Sequence, residues 1–176
     1  MITPVSWSAA FMFVVFGAAK LHAADQASAA LQAIRLPAGS VRPLAVGEVL
    51  TGLGMLVWAG SAAWLLGCTA YLALAGISFS MRRADLPSCG CLGRAPMQPS
   101  AIHTVTCVGF AVLSLTAARS GVASVPSVAH ADAAAAAVAC FMAVAIVVMV
   151  IVVLIELPRT FGNPSTVTAD AEGGAA

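Results

Sequence analysis

Long apolar stretches constrain this chain more than any other feature of its sequence. The longest, residues 133–155, contains no charged residue and no polar group except the thiol of Cys140. A helix of about 20 apolar residues is long enough to cross the hydrocarbon core of a bilayer. Charged residues make up only 9% of the chain, against about 25% in soluble domains. The sequence therefore predicts an all-α integral membrane protein and argues against a water-soluble enzyme, a disordered chain or a secreted disulfide scaffold.

Five apolar stretches predict a polytopic bundle of five membrane-spanning helices. The predicted spans are residues 5–21, 44–59, 62–80, 101–118 and 133–155. They are separated by a polar segment with a short interfacial helix before Pro37, by the dipeptide Gly60-Ser61, and by loops at 82–100 and 121–130. The bundle thus occupies residues 1–160, and the polar tail 161–176 is expected to be disordered.

Charge predicts the environment and the orientation of the chain. The formal net charge of +1 is too small to attract nucleic acid, so the lipid bilayer is the partner that composition predicts. Every lysine and arginine except Arg119 falls in or beside the first loop, the third loop or the tail, all on one membrane face. The positive-inside rule places these loops in the cytoplasm and the N-terminus outside. We expect a multi-pass protein of the cell membrane.

The third loop contains the segment Cys89-Gly90-Cys91-Leu92-Gly93. Two cysteines separated by one glycine can close a small disulfide ring, because glycine tolerates the strained backbone that the ring requires. Strained, exposed disulfides are typically the labile, redox-active ones. Cys107, about one and a half turns into the following span, is a candidate resolving thiol. We interpret Cys89 and Cys91 as a redox pair.

A metal site is the alternative for the same region. Cys89, Cys91, His103 and Cys107 offer four soft or borderline ligands, the set of a Cys3His zinc site. The spacing argues against this alternative, because zinc knuckles place two or more residues between their cysteines. We therefore predict no metal, and we interpret His103 as a polar residue at a helix entrance.

Lys20 and Glu48 are ionisable residues inside predicted spans, where charges are costly and typically functional. Lys20 closes the first span and Glu48 lies about one turn into the second, so both fall at the membrane face of the cysteine loop. Opposite charges lower each other's cost of burial, and an ammonium beneath the loop favours a thiolate. We predict a supporting ion pair; the simpler interpretation of Lys20 is a side chain that extends to the lipid headgroups.

Three of these features together resemble one protein family. They are the lysine that ends the first span, the segment Glu48-Val49-Leu50-Thr51-Gly52, and the Cys89-Gly90-Cys91-Leu92-Gly93 loop, which is the most specific. Over residues 5–118 the chain resembles the methylamine utilisation protein MauE family, part of the wider DoxX-like group, with Leu92 where phenylalanine is commoner. The resemblance implies a four-helix DoxX-like core, to which residues 133–155 add a fifth, C-terminal transmembrane helix.

The resemblance also implies a function. Founding members are required for maturation of methylamine dehydrogenase, whose small subunit is rich in disulfides, alongside a thioredoxin-like protein. This implies a redox-associated membrane protein, a candidate thiol–disulfide oxidoreductase acting through Cys89 and Cys91, with a thioredoxin-like protein or a quinone as electron partner. The alternative is a non-catalytic membrane subunit that anchors or stabilises a larger complex. The family role places the cysteine loop outside the cell, whereas the basic residues place it in the cytoplasm. The sequence therefore leaves both membrane faces as alternatives for this loop.

Overall fold

The computed structural model describes residues 2–33, 35, 37–58, 60–84 and 100–161, and this part of the chain holds helices and no strand. The helices are α1 (Ile2–His22), α2 (Ala24–Ala33), α3 (Val41–Val57), α4 (Ser61–Arg83), α5 (Ala101–Ser120), α6 (Val125–Ala131) and α7 (Ala133–Phe161), with a 3₁₀ turn at Ala38–Ser40. The all-α prediction is confirmed. The predicted tail lies outside the described residues, apart from its first residue.

Four helices in the described part of the chain are long and apolar enough to cross a membrane. They are Thr3–His22 of α1, Ser61–Arg83, Ala101–Ser120 and Ala133–Glu156 of α7. The second predicted span corresponds to α3, which has 17 residues. At 1.5 Å per residue its length is about 25 Å, at the short end of what spans a bilayer. The crossing of α3, and with it the count of five spans, stays a prediction.

The helix α1 lies at the centre of the bundle. It packs against α3, α5 and α7, and α4 and α5 form a second close pair. In the membrane-spanning window of α1, 56% of the residues are buried, compared with 33% in α4 and in α5 and 17% in α7. Outward-facing side chains of α7 are large and apolar, such as Phe141 and Met149. Such a face is compatible with lipid rather than with water.

Two glycines allow α1 and α3 to approach each other closely. A Cβ atom added to Gly17 would lie 2.7 Å from the carbonyl oxygen of Ala45, and one added to Gly52 would lie 2.6 Å from the carbonyl oxygen of Ala10. Because only glycine fits where two backbones come this close, each helix contributes one glycine to the contact. Position 17 faces 45 and position 52 faces 10, so the two helices run antiparallel.

One predicted loop is a helix in the structure. The segment 121–130 was expected to be a loop because it contains Pro126, but Val125–Ala131 forms α6. The prediction was wrong because proline is tolerated in the first turn of a helix. Backbone N–H groups in that turn have no carbonyl acceptor within the helix, so proline removes no helical hydrogen bond there. The side chain of Ser124 caps this helix by accepting the backbone N–H of Ser127. The short helix expected before Pro37 is present as α2.

Candidate functional site

Four helix ends meet at one end of the bundle, which we call the loop end. They are the C-terminus of α1 at His22, the N-terminus of α3 at Val41, the C-terminus of α4 at Arg83 and the N-terminus of α5 at Ala101. The helices α1 and α3 run antiparallel, α4 packs along α5, and the ring of Phe16 near the end of α1 lies beside the ring of His103 near the start of α5. The ends of the long helices that carry Lys20 and His103 are therefore at the same end of the bundle.

The predicted redox cysteines belong to the segment that joins α4 to α5. The chain leaves α4 at Ala84 and begins α5 after Ser100, both at the loop end. Cys89 and Cys91 themselves lie outside the described residues. Their pairing therefore stays a prediction, based on the sequence and on the helix ends that flank the segment.

Lys20 and Glu48 form a buried ion pair between α1 and α3. The ammonium Nζ of Lys20 donates a hydrogen bond to Oε1 of Glu48. The two side chains are only 7% and 4% exposed, respectively. The second carboxylate oxygen, Oε2 of Glu48, has no hydrogen-bond partner among the described residues. The structure thus brings together two of the residues singled out from the sequence.

Helix direction explains why the Lys20 side chain lies inside the bundle. Side chains of α-helices lean toward the helix N-terminus. Since α1 ends at the loop end, Lys20 leans away from that end and into the bundle, while Glu48 on the oppositely directed α3 leans toward it. The two charges therefore meet in the interior, and the side chain of Lys20 is buried instead of extending to the headgroups.

Deeper in the bundle, Tyr71 of α4 provides a polar group that the sequence analysis did not identify. Its hydroxyl donates to the backbone carbonyl of Ala9, and its ring lies against Phe13 and Phe110, at centroid distances of 4.0 and 5.3 Å. The sequence did contain a signal for this residue, because Tyr71 is the single tyrosine of the chain and its polar hydroxyl falls inside a predicted span.

On α5, His103 and Cys107 lie one turn apart on the inward face. Their side chains are 3% and 4% exposed, respectively. The His103 ring lies 6.4 Å from the ring of Phe16, and its backbone N–H donates to the Ser100 hydroxyl that caps the helix. Its Nδ1 atom has no hydrogen-bond partner among the described residues. The interpretation of His103 as a residue at a helix entrance was correct in position but did not include its burial.

The structure offers no metal centre in the part of the chain that it describes. Among those residues, no group of three or more histidine, cysteine, aspartate or glutamate side chains is placed to hold an ion. The alternative zinc set included His103 and Cys107, which share a helix face. Its other two members, Cys89 and Cys91, lie outside the described residues.

Together, these observations define a class: a polytopic helical membrane protein with a buried ion pair, imidazole and thiol at the loop end. The family model described as methylamine utilisation protein MauE matches residues 1–120. The chain therefore belongs to the MauE family, as the sequence motifs predicted. Neither the search of curated proteins nor the search of solved structures gives a significant match. The helices α6 and α7 follow the matched region.

Proposed function

We propose that this protein carries out thiol–disulfide exchange through Cys89 and Cys91 and thereby supports the maturation of a partner protein. The observation that best supports the proposal is the buried Lys20–Glu48 pair at the loop end, where α4 stops and α5 starts. Burying two charges in a bundle is costly unless they are paired, and intramembrane ionisable residues are typically functional. The proposed setting is the cell membrane, with Cys107 as a resolving thiol.

The proposed reaction balances without a bound cofactor. The disulfide between Cys89 and Cys91 exchanges with a dithiol of the partner, through a mixed disulfide, so that the partner becomes oxidised and the loop becomes a dithiol. A thioredoxin-like disulfide protein, or a quinone that accepts two electrons and two protons, then restores the loop disulfide. The Lys20 ammonium supports the reaction by favouring a thiolate near it.

The direct test is to follow the thiol state of a co-expressed, disulfide-containing partner from the same operon. We expect Cys89→Ser, Cys91→Ser and the double variant each to abolish oxidation of the partner. One of the two single variants should in addition accumulate a mixed disulfide with molecules of the partner that already carry their disulfide, because the remaining loop thiol attacks that disulfide, releases one partner thiol, and lacks the second loop cysteine that would complete the exchange. Thiol trapping followed by mass spectrometry measures both outcomes.

The matched controls are Cys68→Ser and Cys140→Ser, since these cysteines lie in α4 and α7 and are half-buried. Both controls should leave partner oxidation unchanged. If the double variant at Cys89 and Cys91 also oxidises the partner normally, the proposal is wrong. A protein whose loop cysteines never change oxidation state, and that copurifies with a stoichiometric complex, would be a non-catalytic anchoring subunit.

A further inference from the structure

We propose that Ser6 of α1, Trp64 of α4 and Ser114 of α5 together bind an internal water molecule at the end of the bundle opposite the loop end. None of the three residues takes part in the proposed thiol–disulfide exchange, and neither the family match nor the sequence motifs assign them a role. The water bridges three helices through side chains that lie in the interior of the bundle.

All three side chains are buried and carry a polar atom without a protein partner. Ser6 and Ser114 are 0% exposed, and Trp64 is 1% exposed. The hydroxyl oxygens of the two serines and the indole Nε1 of the tryptophan make no hydrogen bond to any described residue. Burial of an unpaired polar group costs free energy, so most such groups in native structures bond to protein or to ordered water.

The two serines differ from other helical hydroxyls of this chain. A serine or threonine inside a helix commonly donates to a carbonyl three or four residues earlier in the same helix. Several described residues do so, namely Ser8, Thr69, Ser80, Thr106 and Thr116. Ser6 and Ser114 do not make this bond. Their hydroxyls therefore remain for a partner outside their own helix.

Two contacts between α4 and α5 show how these helices are aligned. Near the loop end, the Thr104 hydroxyl of α5 donates to the Ser78 hydroxyl of α4. Farther from that end, the ring of Phe110 stacks on the ring of Tyr71. Residue numbers rise along α5 while they fall along α4, so the two helices are antiparallel. The helices α1 and α4 both end at the loop end and therefore run in the same direction.

This alignment places Ser6 of α1 opposite Trp64 of α4. The ring centroids of Phe13 and Tyr71 are 4.0 Å apart, so α1 and α4 face each other at that level. Ser6 precedes Phe13 by seven residues, and Trp64 precedes Tyr71 by seven. Seven residues are about two turns, or about 10 Å, along the same face of a helix. The hydroxyl and the indole thus belong to the same level of the interior.

Ser114 reaches the same part of the interior from α5. It follows Phe110 by one turn, about 6 Å, toward the end of the bundle where α1 and α4 begin. Phe110 itself stacks on Tyr71, with 5.3 Å between the ring centroids. Ser114 shares the buried face of α5 with Phe110 and lies between the levels of Tyr71 and Trp64. Three unpartnered polar atoms therefore border one region between α1, α4 and α5.

One water molecule matches these three groups chemically. An indole N–H can only donate, so its partner must accept a hydrogen bond. The oxygen of the water accepts that bond, and its two hydrogens are donated to the two serine hydroxyl oxygens. Internal waters typically make about three hydrogen bonds to polar groups that would otherwise be unpaired. The burial of all three side chains favours a ligand of this size.

The bound water would fix the position of α1 along its axis relative to α4 and α5, because water-mediated hydrogen bonds are nearly as favourable in enthalpy as direct ones. Ser6, Phe13 and Lys20 recur at intervals of seven residues along α1. This helix would then have a polar contact near each end, through the water at Ser6 and through Glu48 at Lys20.

The test observes the indole N–H groups by solid-state NMR of the full-length protein in lipid bilayers, with isotopically labelled tryptophan. Magnetisation is transferred from water to the protein, and its build-up at each indole measures how near water lies. The chain has three tryptophans, and Trp64→Phe assigns the Trp64 signal. Trp7 is the internal reference, since its indole is also buried but donates directly to the carbonyl of Ala123.

We expect magnetisation from water to build up faster at the Trp64 indole than at the Trp7 indole. In the double variant Ser6→Ala with Ser114→Ala, the water loses two of its three partners, so the build-up at Trp64 should fall to the level of Trp7. Equal build-up at both indoles in the unsubstituted protein would overturn the proposal. Build-up at Trp64 that persists without the two serines would overturn it as well.

Ser8→Ala is the matched control for the serine substitutions. Ser8 is also buried on α1, but its hydroxyl already donates to the carbonyl of Val5. This variant should leave the build-up at Trp64 unchanged. An equal decrease in Ser8→Ala and in the double variant would show that the effect comes from general loosening of the bundle, which would contradict a site made by Ser6 and Ser114.

Thermal unfolding gives a second measurement, because the two cases predict opposite signs. Replacing a buried hydroxyl that bonds to nothing removes an unpaired polar group, so alanine would raise the unfolding midpoint. Replacing a hydroxyl that binds the water should lower it. We expect Ser6→Ala and Ser114→Ala each to lower the midpoint, and the double variant to lower it by less than the sum, since both serines bind the same molecule. A raised midpoint in either single variant would contradict the proposal.

Discussion

Replacing Lys20 with methionine is expected to destabilise the folded protein by about 3–5 kcal/mol, the cost typical of removing one partner of a buried ion pair. The variant leaves the carboxylate of Glu48 buried between α1 and α3 without the ammonium that neutralises it. Methionine has a similar length and a flexible side chain, so the packing of the stem is largely kept. The midpoint of thermal unfolding in detergent, monitored by circular dichroism, measures the effect.

The double variant Lys20→Met with Glu48→Met provides the control for this prediction. Because it removes both charges, no group is left uncompensated, and its stability should lie within about 1–2 kcal/mol of the original protein. Lys20→Met alone would then be much less stable than the double variant. If the single and the double variant unfolded at the same temperature, the pair would not be a coupled buried pair, and this description of the site would be wrong.

Replacing Gly52 with alanine is expected to destabilise the bundle by about 1–3 kcal/mol, the range typical of overpacking a well-packed interior. The new Cβ atom would lie 2.6 Å from the carbonyl oxygen of Ala10 and 2.8 Å from Cγ2 of Val14. The backbone of α1 cannot move aside without separating the two helices. The effect should appear as a lower unfolding midpoint and as reduced protection of α1 from hydrogen exchange.

Gly54→Ala is the matched control, because it makes the same chemical change two residues along the same helix. A Cβ atom at Gly54 would meet no atom within 4 Å. Here alanine should be neutral or stabilise the helix by roughly 0.5–1 kcal/mol, since glycine is the poorer helix former. The contact between α1 and α3 would be misassigned if both substitutions had the same effect.

The sequence predicted the membrane class because lipid-facing helices need long apolar stretches, which no soluble fold of this size requires. Residues 133–155, for example, fall within α7. The close approach of α1 and α3 was not predicted. A search for two glycines four residues apart on one helix detects symmetric packing, whereas here Gly17 and Gly52 belong to different helices.

Lys20 and Glu48 were predictable as a pair because a charge in a span needs a partner, and each residue is close to the same predicted membrane face. The role of Tyr71 was not predictable. Its aromatic ring suits an apolar interior, and the sequence does not show that its hydroxyl meets a backbone carbonyl of α1. The burial of His103 could not be predicted from the sequence for a similar reason. The first turn of a helix faces the headgroups or the bundle interior according to tertiary packing, and here it packs beside Phe16.

The central claim, that Cys89 and Cys91 form a redox-active pair, is tested most directly by labelling them with a membrane-impermeant maleimide. Intact cells and inverted vesicles are labelled with and without prior reduction, and the double variant Cys89→Ser with Cys91→Ser gives the background. Labelling from one side is expected to increase after reduction, because part of the protein carries the disulfide; the side that responds also assigns the orientation. Full labelling before reduction, with no increase afterwards from either side, would contradict the central claim.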